Sequence, residues 1–325
     1  MLKDEVLSAL DAADGAVVTG GELGERFSVS RAAIWKAINA LKENGYTIES
    51  IEKRGYRLIS TNDILSELSI RKRLHTRFLG NRIEILKTVD STNTYMKARD
   101  LPSMAEGFTV IADGQTGGRG RRNRGFSSLP GEGLYISLLL KPDIPPADTR
   151  FLTICAALAV SRALKTACGV ESQVKWVNDV YCEGLKICGI LTEGAVSVEQ
   201  QTMTYVVIGM GINTGTLPEE IQGIATSVQR LTGKKPDRSV LAAELLSHME
   251  TIYLDLTAHN RKQALLDEYR ERQFIFGRTV DIVTPGTGFT FRAVPTEIDD
   301  DGALVVRNEA GEILHLCSEE VSLKL

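Results

Sequence analysis

The run Gln115-Thr116-Gly117-Gly118-Arg119-Gly120-Arg121-Arg122-Asn123-Arg124-Gly125 puts four arginines and four glycines into eleven residues. Arginine offers a planar fork of donors that matches phosphate and carboxylate. Glycine lets backbone approach a ligand closely. The run reads as a loop that folds around an anion, with a solvated basic hairpin tip as the plainer alternative. Lys186 is a second cation with a defined placement, because it follows the tight turn Glu183-Gly184-Leu185. No GxxxxGK[ST] phosphate loop occurs, so any nucleotide phosphate must be met by side chains and by this loop.

These residues need a scaffold, and 325 residues with 43% hydrophobic content are enough for two or three domains. The net charge of −4 excludes a chain that binds nucleic acid by its overall charge; a local patch is required. Five cysteines, odd in number and without CxxC spacing, read as reduced core thiols, and the four histidines form no metal-ligand cluster in sequence. The start lacks a signal peptide, and the longest apolar run, residues 151–160, is too short to span a bilayer. A cytoplasmic protein without a membrane partner is expected.

Residues 1–62 read as a winged helix-turn-helix, with a protein-interaction trihelical module as the plainer alternative. Apolar spacing predicts helices over 4–12, 21–27 and 30–43, followed by strands over 46–51 and 55–59 joined by Glu52-Lys53-Arg54. Ile34, Ala37, Ile38 and Leu41 would be the buried face of the third helix, leaving Arg31, Ala32, Trp35, Lys36 and Asn39 elsewhere. Those exposed positions, with Lys53, Arg54 and Arg57 on the wing, suit base edges and phosphates. Residues 19–60 carry seven Lys/Arg and five Asp/Glu, so placement and not bulk charge argues for DNA. A helix over 65–74 is expected to open the second domain.

Residues 63–273 read as α+β with a mixed or antiparallel sheet. Strands are expected near 82–89, 108–112, 134–141, 174–176, 179–182, 187–193 and 205–209. Helices are expected from about 94, over 148–168 and over 239–272 with a break near His259. Gly209, Gly211 and Asn213 read as a close-approach turn after the last strand. Residues 274–325 hold five short strand patterns separated by turns, such as Pro285-Gly286-Thr287-Gly288, and suggest a small SH3-like β-barrel or half-barrel.

Five motifs occur in a fixed order: Asp90-Ser91-Thr92-Asn93, Gln115-x-x-Gly-Arg-Gly-Arg, Lys175-Trp176-x-Asn178-Asp179, Lys186-x-x-Gly189-Ile190-Leu191 and Gly209-x-Gly211-Ile212-Asn213. With the winged helix and the terminal β-module, they closely resemble the bifunctional biotin protein ligases that double as biotin operon repressors. The resemblance covers essentially the whole chain. It implies a class II synthetase-like, biotin ligase-like catalytic domain. It implies that biotin and ATP, with Mg2+, give biotinyl-5′-AMP, and that biotin then passes to a lysine of a biotin carboxyl carrier domain, such as that of acetyl-CoA carboxylase. Biotinyl-5′-AMP would also be the corepressor, promoting a homodimer that binds operator DNA.

By the same resemblance, Ser91, Thr92 and Gln115 would hold the ureido ring of biotin, with Asn93 extending that turn. Arg119, Gly120 and Arg121 would line the carboxylate and phosphate, with Arg124 assisting, and Lys186 would bind the biotin carboxylate and then the adenylate phosphate. Arg119, Arg121 and Lys186 are the implied catalytic cations. Lys175, Asn178, Asp179, Asn213 and Phe126 would meet the nucleotide, and Asp179 is the candidate magnesium ligand. Two departures stand out: Val177 replaces the family's usual proline, and Phe126 replaces a tryptophan that stacks on adenine. A DNA-binding biotin or nucleotide sensor without ligase activity is the alternative function.

Overall fold

The computed structural model describes residues 2–43, 45–52, 54–60, 64–197, 199, 202–259, 261–284, 289–317 and 320–322. The chain forms two compact units, residues 1–72 with 237–239, and residues 73–236 with 240–325.

The first unit opens with helices α1 (Leu2–Ala12), α2 (Gly20–Phe27) and α3 (Arg31–Glu43). Thr19 starts α2 with a capping box: its hydroxyl accepts the Glu22 N–H (3.0 Å), and the Glu22 carboxylate accepts the Thr19 N–H (2.8 Å). Val6, Leu10, Leu23, Ile34, Ile38 and Leu41 meet in one core, so the expected buried face of α3 is the observed one. Strands β1 (Thr47–Ile51) and β2 (Gly55–Ser60) form the antiparallel wing. Helix α4 (Glu67–Arg73) follows, and the first compact unit runs to Lys72. Ile64 and Leu68 pack on the first core, and the Ser66 N–H and Ile64 carbonyl both bond the Ser239 hydroxyl (3.1 and 2.9 Å).

The second unit is built on a mixed seven-stranded sheet. In chain order its elements are β3 (Ile83–Val89), α5 (Thr92–Lys97), β4 (Thr109–Gln115), β5 (Gly133–Leu140), α6 (Thr149–Cys168), β6 (Gln173–Lys175), β7 (Asp179–Cys182), β8 (Leu185–Ser197) and β9 (Thr202–Asn213). The strand order is β3-β4-β5-β9-β8-β7-β6; among the described residues, β3 and β4 are the one adjacent pair of these strands that runs parallel. Every residue of β5 is buried, as the centre of a sheet covered on both faces requires. Helix α6 packs on β7, β8 and β9. The stretch Pro146–Cys168 is long and apolar enough to cross a membrane, against the expectation from sequence, but 72% of its apolar 18-residue window is buried inside the protein.

Helices α7 (Val228–Thr232), α8 (Arg238–Thr257) and α9 (Lys262–Glu271) follow, with the break near His259 where it was expected. The chain then forms β10 (Val280–Val283), β11 (Thr290–Ile298), β12 (Leu304–Asn308), β13 (Ile313–Leu316) and β14 (Glu320–Ser322). These five make an antiparallel sheet of order β13-β12-β11-β10-β14 within the second compact unit. The turn expected at 285–288 lies outside the described residues.

Candidate functional site

The one parallel pair creates the site. Because β3 and β4 run the same way, with Val89 opposite Gln115, their C-terminal ends deliver residues 90–93 and the arginine loop side by side. The Val89 and Asp90 carbonyls accept the N–H groups of Thr116 and Gly117 (2.9 and 2.8 Å). Strand β9 ends and β8 begins at this same edge, with Gly133 opposite Asn213 and Cys188 opposite Ile212. A cavity of about 410 Å³ opens there. It gathers Ser91, Thr92, Asn93, Gln115, Arg119, Gly120, Arg121, Arg124, Phe126, Lys175, Asn178, Asp179 and Lys186, all expected from sequence.

One wall is buried and neutral. Ser91, Thr92 and Asn93 are each no more than 5% exposed. Helix α5 starts at Thr92, earlier than the expected residue 94; Ser91 is the N-cap, yet its side chain makes no capping bond. The Gln115 side-chain oxygen accepts both the N–H and the hydroxyl of Thr92 (2.8 and 3.2 Å), and the Gln115 amide donates to the Ser128 hydroxyl (2.9 Å). Ser137 Oγ lies 2.6 Å from Asn93 Oδ1 and 2.7 Å from Thr92 Oγ1. The Asn93 amide donates to Glu193 (2.8 Å). Partners at this density hold the turn in one geometry.

The rest of the lining is mainly cationic. The arginine loop is pinned at its base, where the Phe126 N–H donates to the Gly118 carbonyl (2.9 Å) and the Gly120 N–H to the Arg124 carbonyl (2.7 Å). Between those pins Arg119, Arg122 and Arg124 are exposed, and Arg121 is half-buried. Lys186 is fixed through its backbone, which exchanges hydrogen bonds with Ile224 and Thr226 (3.1 and 2.9 Å) while pairing with Tyr181 of β7. Its ammonium is 2.7 Å from Asp179 Oδ1. That carboxylate already has a cation, which fits poorly with the expected magnesium ligand. Among the described residues no three His, Cys, Asp or Glu side chains gather as a metal site.

The glycines of the last motif have a different role from the expected turn. Gly209 and Gly211 lie inside β9. A Cβ on Gly209 would fall 2.3 Å from Asn93 Oδ1, and one on Gly211 would fall 2.6 Å from the Phe126 ring. The sheet surface is bare there so that these two side chains can lie on it. Asn213 does not line the cavity; it is buried, and its amide donates to the Thr226 carbonyl (3.1 Å), fastening the segment that pairs with Lys186.

Sequence reasoning missed Tyr135, Trp176, Tyr181 and Ile224, which also line the cavity. Tyr181 was within reach, because Asp179 and Tyr181 are two apart on β7 and share a face. Burial, and then the Asp179 charge, push its phenol well above the ordinary range, so it stays protonated. Ser137, the one serine of the apolar strand β5, is fully buried against Thr92 and Asn93. Burial pushes the Cys182 thiol up to about 12 and Cys188 higher, which leaves both as inert filling.

In the first unit, Arg31, Ala32, Trp35 and Lys36 are all exposed on α3, Trp35 by 57%, and Arg54 is exposed on the wing. Arg57 pairs across the wing with Glu49 (2.9 Å), a constraint the sequence did not reveal. Lys53 lies outside the described residues.

Residues 85–213 match the Biotin/lipoate A/B protein ligase family, and residues 3–57 match an HTH domain. The chain is 32% identical over 326 residues to the bifunctional ligase/repressor BirA of Bacillus spizizenii, covering 99% of this chain and 98% of that one. It is 32% identical to the biotin–[acetyl-CoA-carboxylase] ligase of Mycobacterium tuberculosis, over 78% of this chain and 96% of that one. The biotin protein ligase of Aquifex aeolicus, solved in complex with biotin and ATP, superposes with a TM-score of 0.64 at 28% identity, covering 75% of this chain and 99% of that one. A two-walled pocket on a mixed sheet, a preceding HTH unit and similarity along nearly the whole length agree: the chain belongs to the family of bifunctional biotin ligase/repressors.

Proposed function

We propose that this chain is an ATP-dependent biotin protein ligase and a transcriptional repressor. The observation that carries the reading is the division of one pocket into a neutral hydrogen-bonding wall and a cationic wall. Biotin has the same division, a ureido ring at one end and a carboxylate at the other.

In this reading Ser91, Thr92 and Gln115 bond the ureido ring, and Asn93 braces them. The tail carboxylate reaches Arg119, Arg121 and Lys186. There a carboxylate oxygen attacks the α-phosphorus of ATP, the bond to the leaving pyrophosphate breaks, and biotinyl-5′-AMP forms. Negative charge grows on the phosphate oxygens in the transition state, and fixed cations lower its energy most at that moment. Lys186 is held ready by Asp179 and exchanges that partner for the phosphate. Lys175, Asn178 and Phe126 meet the nucleotide, and magnesium arrives with the triphosphate. In the second step the ε-amine of a carrier-domain lysine attacks the acyl carbon, loses a proton and displaces AMP. The presence of Arg119, Arg121 and Lys186 around one cavity favours a ligase over a sensor without activity.

Arg31, Ala32, Trp35 and Lys36 on α3 are the surface offered to a DNA groove, with Arg54 on the wing for phosphates. Biotinyl-5′-AMP supplies the phosphate that lets the exposed arginines gather, and the ordered loop favours a homodimer on two operator half-sites in a cytoplasmic setting. By linkage, dimerisation tightens adenylate binding by the same free energy. Mass spectrometry of biotinyl-5′-AMP formed from biotin and ATP tests the ligase; no adenylate sinks it. Sedimentation with and without adenylate tests the coupling; an unchanged association constant leaves a ligase with an uncoupled DNA-binding unit.

A further inference from the structure

We infer that Tyr269 and Gln273, beyond the segment that carries the motifs, are positioning residues for adenylation, holding the Trp176–Val177 backbone so that Lys175, Asn178 and Asp179 face the nucleotide. The inference rests on the ligase reading above. Lys175, Asn178 and Asp179 line the cavity, and the two residues between them are not part of a strand. Backbone polar groups buried outside a ladder need other partners. Here a helix end supplies them. The Gln273 side-chain oxygen accepts the Trp176 N–H (3.1 Å), and the Tyr269 hydroxyl donates to the Val177 carbonyl (3.1 Å). Tyr269 is fully buried and Gln273 is 7% exposed.

The rest of the segment is fixed on both sides. The Arg272 carbonyl accepts the Val174 N–H (2.8 Å), and the Val174 carbonyl accepts the Phe274 N–H (3.3 Å), so residues 272–274 take the outer edge of β6. The Trp176 indole donates to the Gly302 carbonyl (3.1 Å). On the far side, Asn178 exchanges bonds with Ile190: its amide donates to the Ile190 carbonyl, and its carbonyl accepts the Ile190 N–H (both 2.9 Å). A small rotation of the held peptide would move Lys175 relative to Asp179, and with Asp179 its partner Lys186. The ureido wall, built from α5, β4 and β5, shares none of these bonds.

That separation gives the test. Tyr269→Phe removes one oxygen and keeps the ring; Gln273→Leu removes the acceptor. In the full-length protein each should raise KM for ATP and lower kcat of adenylate formation, together about tenfold in kcat/KM. Biotin affinity by calorimetry should stay within about twofold, since the lost bonds are remote from that wall. A purely structural role predicts otherwise: fewer active molecules, reduced apparent kcat and unchanged KM. An unchanged KM for ATP, an equal loss of biotin affinity, or variants that match wild type each overturn the inference. If Gln273→Leu fails to fold, Tyr269→Phe decides alone. A wild-type protein that makes no biotinyl-5′-AMP overturns the ligase reading and this inference with it; an active wild type whose Tyr269→Phe variant is kinetically identical overturns the inference only.

Discussion

The two walls of the pocket are built on opposite plans. The neutral wall is buried, and Thr92, Asn93 and Gln115 reach Ser128, Ser137 and Glu193 through short bonds. The cationic wall is a loop with backbone bonds from Phe126 to Gly118 and from Gly120 to Arg124, and with Arg119, Arg122 and Arg124 exposed. On the ligase reading proposed above, the difference follows from what each wall would meet. A neutral ring gives a weak signal, so its site must be finished before the ligand comes. A carboxylate or phosphate attracts cations strongly, so that wall can close after arrival and still open for the second substrate.

Changes to either wall can break this contrast. Lys186→Ala should have the largest effect, about 10²-fold or more on adenylate synthesis, because the lost contact strengthens as charge develops. Single-turnover kinetics on the folded variant checks it, and near-normal adenylation would remove Lys186 from the chemistry. Ser137→Ala should weaken biotin binding roughly tenfold without touching the ligand, since Asn93 Oδ1 loses its buried partner. Calorimetry with biotin measures this; an unchanged affinity would mean the buried wall is less dependent on its bracing than its bonds suggest. Phe126→Ala should weaken nucleotide binding more than biotin binding, by about 1–3 kcal/mol if the ring stacks as aromatic side chains do on bases. Equal losses for the two ligands would contradict stacking.

The smallest effect concerns acid. Burial alone would raise the Glu268 carboxyl, but hydrogen bonds and charge from Arg162 and Arg272 outweigh it and hold it below its ordinary value. A carboxyl lowered by folding stabilises the protein above the unfolded value near 4.3, and that contribution is lost as pH falls through the folded value. Glu268→Gln should therefore lower the melting temperature at neutral pH and converge with wild type only as pH falls below the lowered folded value. Parallel curves across that range would assign the acid loss to other groups.

Local signals carried most of the fold. Helix α3, the wing strands and the five terminal strand patterns could be read because apolar period and turn residues are properties of neighbours in sequence. The arginine loop and Lys186 were legible for the same reason. What stayed hidden depends on pairing at a distance. Nothing near Ser137 says that β5 places it against Asn93, and nothing near Gln273 says that α9 ends beside β6. The glycines at 209 and 211 were recognised as close-approach residues but misplaced in a turn. A glycine that clears space for a side chain from another strand looks, in sequence, like one that bends the backbone.

The outer edge of β6 is covered by residues made much later. About a hundred positions separate Val174 from Arg272. At ribosomal rates of about 5–20 residues per second, that edge waits roughly 5–20 seconds for its partner. During that interval a nascent chain shows an open strand end, the feature through which sheets add foreign strands. The order of birth is therefore uneven: the helices of the first unit emerge first, while the β6 edge beside the pocket is sealed only when α9 has left the ribosome. Chaperone demand should concentrate in that window, and a chain stopped short of residue 272 would carry every motif of a ligase and still lack a closed sheet.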